Sequence, residues 1–91
     1  MEINRYLIEG VIRMEYSFED LENDLEIGRE IHFVYKGKEY SITHPFDGWV
    51  LSEFYKDYQT FRTHKELLEK GTINGKYLKE IWNDVKVTEI F

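Results

Sequence analysis

The 91-residue chain contains no cysteine, which excludes disulfides, thiolate metal sites and cysteine nucleophiles. Its apolar runs are short, far from the roughly 20 residues that a membrane-spanning helix needs. No cluster of Lys and Arg exceeds its local acids, so direct nucleic-acid binding by phosphate neutralisation is disfavoured. The glycines stand singly, at Gly10, Gly28, Gly37, Gly48, Gly71 and Gly75, and form none of the phosphate-cradling motifs. The opening stretch MEINRYLIEGVIRMEYS carries Glu2, Glu9 and Glu15 and no basic leader. No signal peptide is expected, and a cytoplasmic location is. Alanine is missing too, so the 42% hydrophobic fraction consists of Val, Ile, Leu, Met and aromatic residues alone.

Six Phe, seven Tyr and two Trp are present, and each aromatic can bury on the order of 150 to 250 Å². A chain of this length supports a single core and no second domain, so residues 1–91 are read as one unit. Charged residues make up 33% of the sequence and leave a net charge of −6. The excess is local: residues 1–30 hold nine acids and three bases, whereas residues 31–91 hold nine of each.

The most regular pattern runs from Glu30 to Trp49. With Lys36 and Gly37 as central turn residues, Tyr35 faces Lys38, Phe33 faces Tyr40 and Ile31 faces Ile42, which gathers the large apolar side chains on one face. His32 and Val34, with Glu39, Ser41 and Thr43, take the other face. A four-residue loop from Pro45 to Gly48 then sets Ile42 against Leu51 and His44 against Trp49, in a third strand from Trp49 to Tyr55. This three-stranded meander occupies residues 29–56.

Helical patterns flank it. Ile3, Leu7, Val11 and Met14 fit a helical stripe over residues 2–16, although Ile12, Met14 and Tyr16 also alternate as a strand does; helix is favoured. Ser17 with Asp20 three residues on, then Phe18, Leu21 and Leu25, predicts a capped helix ending at Gly28, which completes an acidic helical segment over residues 1–28. Thr63 to Glu66 is a second capping-box pattern, followed by Leu67 and Leu68 and a stop at Gly71. After an Asn74-Gly75 turn, Leu78, Ile81, Trp82 and Val85 predict an amphipathic helix anchored by Trp82, so that residues 63–85 hold two helices. The tail VKVTEIF is β-prone, and either adds a strand or packs Phe91. The expected fold is α+β: a three-stranded antiparallel meander with helices packed on one face, in the order ααβββαα.

The stretches YKGKEYSI from Tyr35, Gly48-Trp49, and ELLEKGTINGKYLKEIW from Glu66 resemble small proteins of unknown function from Gram-positive bacteria and their prophages. The likeness spans residues 17–85. It implies a bacterial or phage origin and this hairpin-then-helices arrangement, and it brings no activity or catalytic residue.

Three constellations invite chemistry. Three histidines invite a metal, but the hairpin register puts His32 and His44 on opposite faces, and His64 starts a capped helix. Ser41 opposite His32 is the best nucleophile pair, and the strand setting offers it no strained elbow or oxyanion loop. Glu39, Glu53 and Asp57 are carboxylates on or just past strands, in a domain with little room for a catalytic cleft. No catalytic residue, metal or cofactor is therefore expected. Two features remain for partner binding: the acids Glu19, Asp20, Glu22, Asp24 and Glu26, and the aromatics Phe54, Tyr55 and Tyr58 with Phe61, which leave the third strand for a loop.

The functional expectation is a non-enzymatic protein–protein interaction module, which the resemblance associates with mobile elements, with an unknown protein partner, no direct nucleic acid and no membrane. A homodimer through a strand edge is compatible with this. The alternatives are an acidic antagonist in which the five carboxylates imitate phosphates to block a nucleic-acid-binding protein, and a small hydrolase.

Overall fold

The computed structural model describes residues 16–54 and 56–91. The helix expected over residues 2–16 lies outside the described residues but for Tyr16, which is buried and not helical. The first helix, α1, is Phe18–Glu26. Its start is closed by a reciprocal capping box: the Asp20 amide donates to Ser17 Oγ at 2.9 Å and the Ser17 amide donates to Asp20 Oδ2 at 3.0 Å. Two of the amides that a helix start leaves unpaired are thus satisfied by side chains.

Strands β1 (Ile31–Tyr35) and β2 (Lys38–Thr43) form the expected hairpin, with Tyr35 paired to Lys38, Phe33 to Tyr40 and Ile31 to Ile42. Lys36 and Gly37 both take positive φ, 51° and 79°, the geometry of a turn whose twist matches that of the strands. Strand β3 (Trp49–Glu53) pairs Leu51 with Ile42, as the four-residue loop requires. The His44 ring stacks on Trp49, with centroids 4.0 Å apart.

The sheet then exceeds the expected three strands. Tyr58–Phe61, expected as a loop, is strand β4, antiparallel to β3. The intervening turn contains no Gly, Pro or Asn, and Asp57 is its one turn-favouring residue; it is closed by backbone bonds from Lys56 N to Glu53 O and from Glu53 N to Asp57 O. Helix α2 (His64–Lys70) follows. Thr63 Oγ1 caps it by accepting from the Glu66 amide at 3.1 Å, while the Glu66 carboxylate reaches past Thr63 to the Arg62 amide at 2.9 Å.

The expected amphipathic helix is reduced to a single turn, α3 (Leu78–Ile81), continued by a 3₁₀ turn over Trp82–Asp84. Two competing pairings shorten it. Ahead of it, β5 (Thr72–Ile73) and β6 (Lys76–Tyr77) form a small hairpin around Asn74 and Gly75, both at positive φ. Behind it, β7 (Lys86–Ile90) pairs antiparallel with β1, so the tail takes its strand alternative. The five-stranded order is β4-β3-β2-β1-β7. A bulge opposite His32 and Phe33 interrupts the β7 edge, and such irregularity discourages further edge pairing.

One sheet face carries Ile31, Phe33, Tyr35, Tyr40, Ile42, Trp49, Leu51 and Val87, all buried, and meets Leu21, Leu25, Leu67, Leu68, Leu78, Ile81 and Trp82 from the helical layer. Phe33 stacks on Tyr40 and receives the edge of Trp82 at 5.4 Å. Gln59 ties the small hairpin to this sheet: its side-chain amide donates to the Thr72 carbonyl at 2.8 Å and accepts from the Thr72 amide at 3.1 Å, as a strand backbone would. Among the described residues no helix is long and apolar enough to cross a membrane.

Candidate functional site

The five acids expected to meet a partner all lie on α1, and the helix sorts them into two sets. Asp20 is committed to the capping box, and Asp24 accepts the Tyr16 hydroxyl at 2.6 Å. Both are half-buried. Glu19, Glu22 and Glu26 are exposed and make no ion pair among the described residues. Their spacing of three and four residues lines them along one stripe of the helix.

That stripe borders a groove of about 490 Å³ where α1, α2 and α3 meet. Phe18, Leu68 and the half-exposed Tyr77 supply its apolar surface, while Glu22, Glu69 and Glu80 supply carboxylates against a single base, Lys79. Sequence reasoning did not collect these residues, because Phe18 and Glu22 of α1 are far along the chain from Leu68 and Glu69 of α2 and from the β6–α3 junction. The one local signal was Tyr77, a large aromatic two residues past the Asn74-Gly75 turn.

The aromatic cluster does not stay together. Phe61 pairs with Trp49 on the helix-covered face and packs against the core. Phe54 lies on the opposite face, its ring edge-on to His32 at 5.4 Å, and Tyr58, on that same face by its pairing with Ser52, is 67% exposed. Tyr55 lies outside the described residues.

On that second face the register places Glu89, His32, Ser41, Ser52 and Tyr58 in one row across all five strands. His32 Nδ1 lies 3.2 Å from Glu89 Oε1, and Phe91 adds a second aromatic edge at 4.9 Å. The Ser41 hydroxyl pairs with Ser52 Oγ at 2.9 Å. Ser41 sits in mid-sheet, between two paired strands, where backbone amides are engaged in ladders rather than gathered toward one point as oxyanion stabilisation requires. Glu39 extends from the exposed end of β2, and Glu53 and Asp57 flank the β3–β4 turn.

The histidines are arranged as the register implies for His32 and His44, but with one juxtaposition that was not foreseen. His44 stacks on Trp49 and His64 meets the edge of the same indole at 5.8 Å. His44 Nδ1 faces the Gly48 carbonyl, which only accepts, so this nitrogen carries the hydrogen. Among the described residues no three His, Asp or Glu side chains come together as metal ligands.

Among the described residues, the one titration displaced by its surroundings belongs to Tyr40. Burial of the phenol, then the Glu53 carboxylate and the Tyr35 hydroxyl, hold it above the ordinary range for a tyrosine. Compared with protein-family models, with curated proteins and with solved structures, the chain matches none.

Proposed function

We infer that this is a non-enzymatic interaction module which binds a basic, partly apolar segment of another protein in the groove between α1, α2 and α3. The observation that carries this reading is the continuity of the exposed Glu19, Glu22 and Glu26 stripe with the groove that Glu22, Glu69 and Glu80 border. Carboxylates around an apolar surface favour a partner that brings a large apolar side chain flanked by Lys or Arg: burial of the anchor supplies affinity, and the charges supply orientation and encounter rate. The resemblance to small bacterial and prophage proteins is in keeping with an accessory or mobile-element role. Imitation of nucleic acid is the weaker version, since two of the five acids are engaged within the molecule, leaving three on the helix for a phosphate-like array.

Selection of displayed peptides against the purified protein tests the reading. Enriched sequences are expected to pair basic residues with a bulky apolar one and to lose binding to Glu22→Lys with Glu69→Lys, and to Tyr77→Ser. Peptides that bind these variants as well as the native protein would remove the groove from consideration.

A further inference from the structure

A second concavity lies at the opposite sheet end from the Pro45–Gly48 loop, between the β3–β4 turn and the β5–β6 hairpin. Its volume is about 170 Å³, below the ~300 Å³ at which pockets for drug-sized molecules begin. This is room for one side chain or a small amine. Leu51 and Ile73 give it apolar walls, and Glu53 and Asp57 bring two carboxylates.

Two carboxylates by themselves do not make a site; Tyr40 adds an independent observation. It is 5% exposed, lines the same cavity, and its hydroxyl makes no hydrogen bond to any described residue. Tyr40 and Glu53 are cross-strand partners on one face, and both line the cavity. A phenol oxygen with no protein partner keeps its lone pairs for a donor that enters the cavity. Gln59, by contrast, is fully used by Thr72.

We propose that the cavity lined by Tyr40, Glu53 and Asp57 binds a primary alkylammonium group, with its methylenes against Leu51 and Ile73. An ammonium offers three hydrogens in a compact head on an apolar stem. The cavity offers three acceptors, the two carboxylates and the Tyr40 oxygen, next to an apolar wall. A divalent cation is a poorer match, since hard ions take six or more oxygen ligands. Lys38, whose Nζ stands 4.0 Å from Glu53 Oε2, is an exposed neighbour that a bound ammonium would displace from the carboxylate. This site goes beyond the helix groove and does not depend on it.

The ammonium can come from a free amine or from the lysine of a partner, and a titration followed by amide NMR distinguishes them. n-Butylammonium chloride and an N-acetyl-lysine amide are the probes, with n-butanol and sodium chloride at equal ionic strength as controls. Saturable shifts at the amides of Glu53, Gln59, Thr72 and Asn74 are expected with both ammonium probes and with neither control. Tighter binding of the lysine amide assigns the site to a partner's side chain; tighter binding of butylammonium assigns it to a free amine. Glu53→Gln and Asp57→Asn are each expected to weaken binding about tenfold, and Tyr40→Phe to weaken it several-fold. If Tyr40→Phe does not fold, the two surface carboxylate variants still decide the matter. Shifts that do not saturate, that sodium chloride reproduces, or that survive both carboxylate changes overturn the proposal.

Discussion

The indole N–H of Trp82 donates to the backbone carbonyl of Tyr16 at 3.0 Å, across 66 residues of sequence. The same ring touches Phe18 at 6.2 Å and Phe33 at 5.4 Å, so one side chain joins the start of α1, the central sheet and the C-terminal turn. Trp82→Phe keeps much of the ring contact and removes the hydrogen bond, with an expected loss of about 1–3 kcal/mol. Trp82→Ala also opens a cavity, for about 3–5 kcal/mol. Urea unfolding of both variants checks the order.

Gly71 and Gly37 are needed for different reasons. Gly71 has an ordinary extended backbone, φ −67°, but a Cβ there would stand 2.7 Å from the Leu67 carbonyl oxygen and 3.1 Å from Leu51 Cδ2. Gly37 has open space around it and φ +79°. Asn tolerates the left-handed region, so Gly37→Asn is expected to cost a few tenths of a kcal/mol, roughly, and Gly37→Ala about 1–2 kcal/mol. At position 71 the order reverses: Ala costs about 1–3 kcal/mol by crowding and Asn costs more. Thermal unfolding of the four variants separates conformation from space.

The acids of α1 should divide in the same way that their contacts do. Asp24→Asn weakens a charge-assisted bond from the Tyr16 hydroxyl and is expected to cost about 1–2 kcal/mol. Glu22→Gln, on the exposed stripe, should stay within about 0.5 kcal/mol of the native protein. Chemical denaturation gives both values, and equal losses would show that the exposed stripe also has a structural role.

Tyr40 predicts an alkaline limit to stability. Its phenol is held above the ordinary tyrosine range by burial, Glu53 and Tyr35, so the unfolded chain loses this proton at a lower pH than the folded one. The folded state then binds more protons as pH rises past the unfolded value, and stability falls with pH. The contribution is fully present below about pH 10 and disappears as pH climbs through the folded pKa. Unfolding free energy measured from pH 8 upward should decline more steeply for the native protein than for Tyr40→Phe; parallel curves would contradict this.

Much of the central sheet was legible because its signals are local. The alternation of IHFVY with KEYSIT and the Lys36-Gly37 turn leave one pairing that keeps the large side chains together, since a one-residue slip would move the whole set to the wrong face. The capping groups Ser17 and Thr63 were legible for the same reason: each satisfies amides within its own turn. Strand β4 was not legible, because its connecting turn has only Asp57 to mark it, with no Gly, Pro or Asn. Nor was the short extent of α3, where the apolar spacing of Leu78, Ile81, Trp82 and Val85 promised more helix than the neighbouring pairings allow.

The partner-facing residues show the same division. Sequence pattern placed five acids on one helix, but only the contacts of Asp20 and Asp24 separate those holding the helix start from Glu19, Glu22 and Glu26. Phe54, Tyr58 and Phe61 are close in the chain but lie on two faces of the sheet, since side chains alternate across each strand and the chain reverses between them.

By itself the sequence determined the α+β class, the hairpin register, the first and third strands' pairing through β2, and the capped starts of α1 and α2, all of which rest on turn chemistry and periodicity within a few residues. Tertiary structure alone decided the edge strands β4 and β7, the shortening of α3, the groove of Phe18, Leu68 and Tyr77, and the cavity beside Tyr40. Strand edges and concavities depend on which distant segment is free to pair or pack, and that competition is settled by the folded whole.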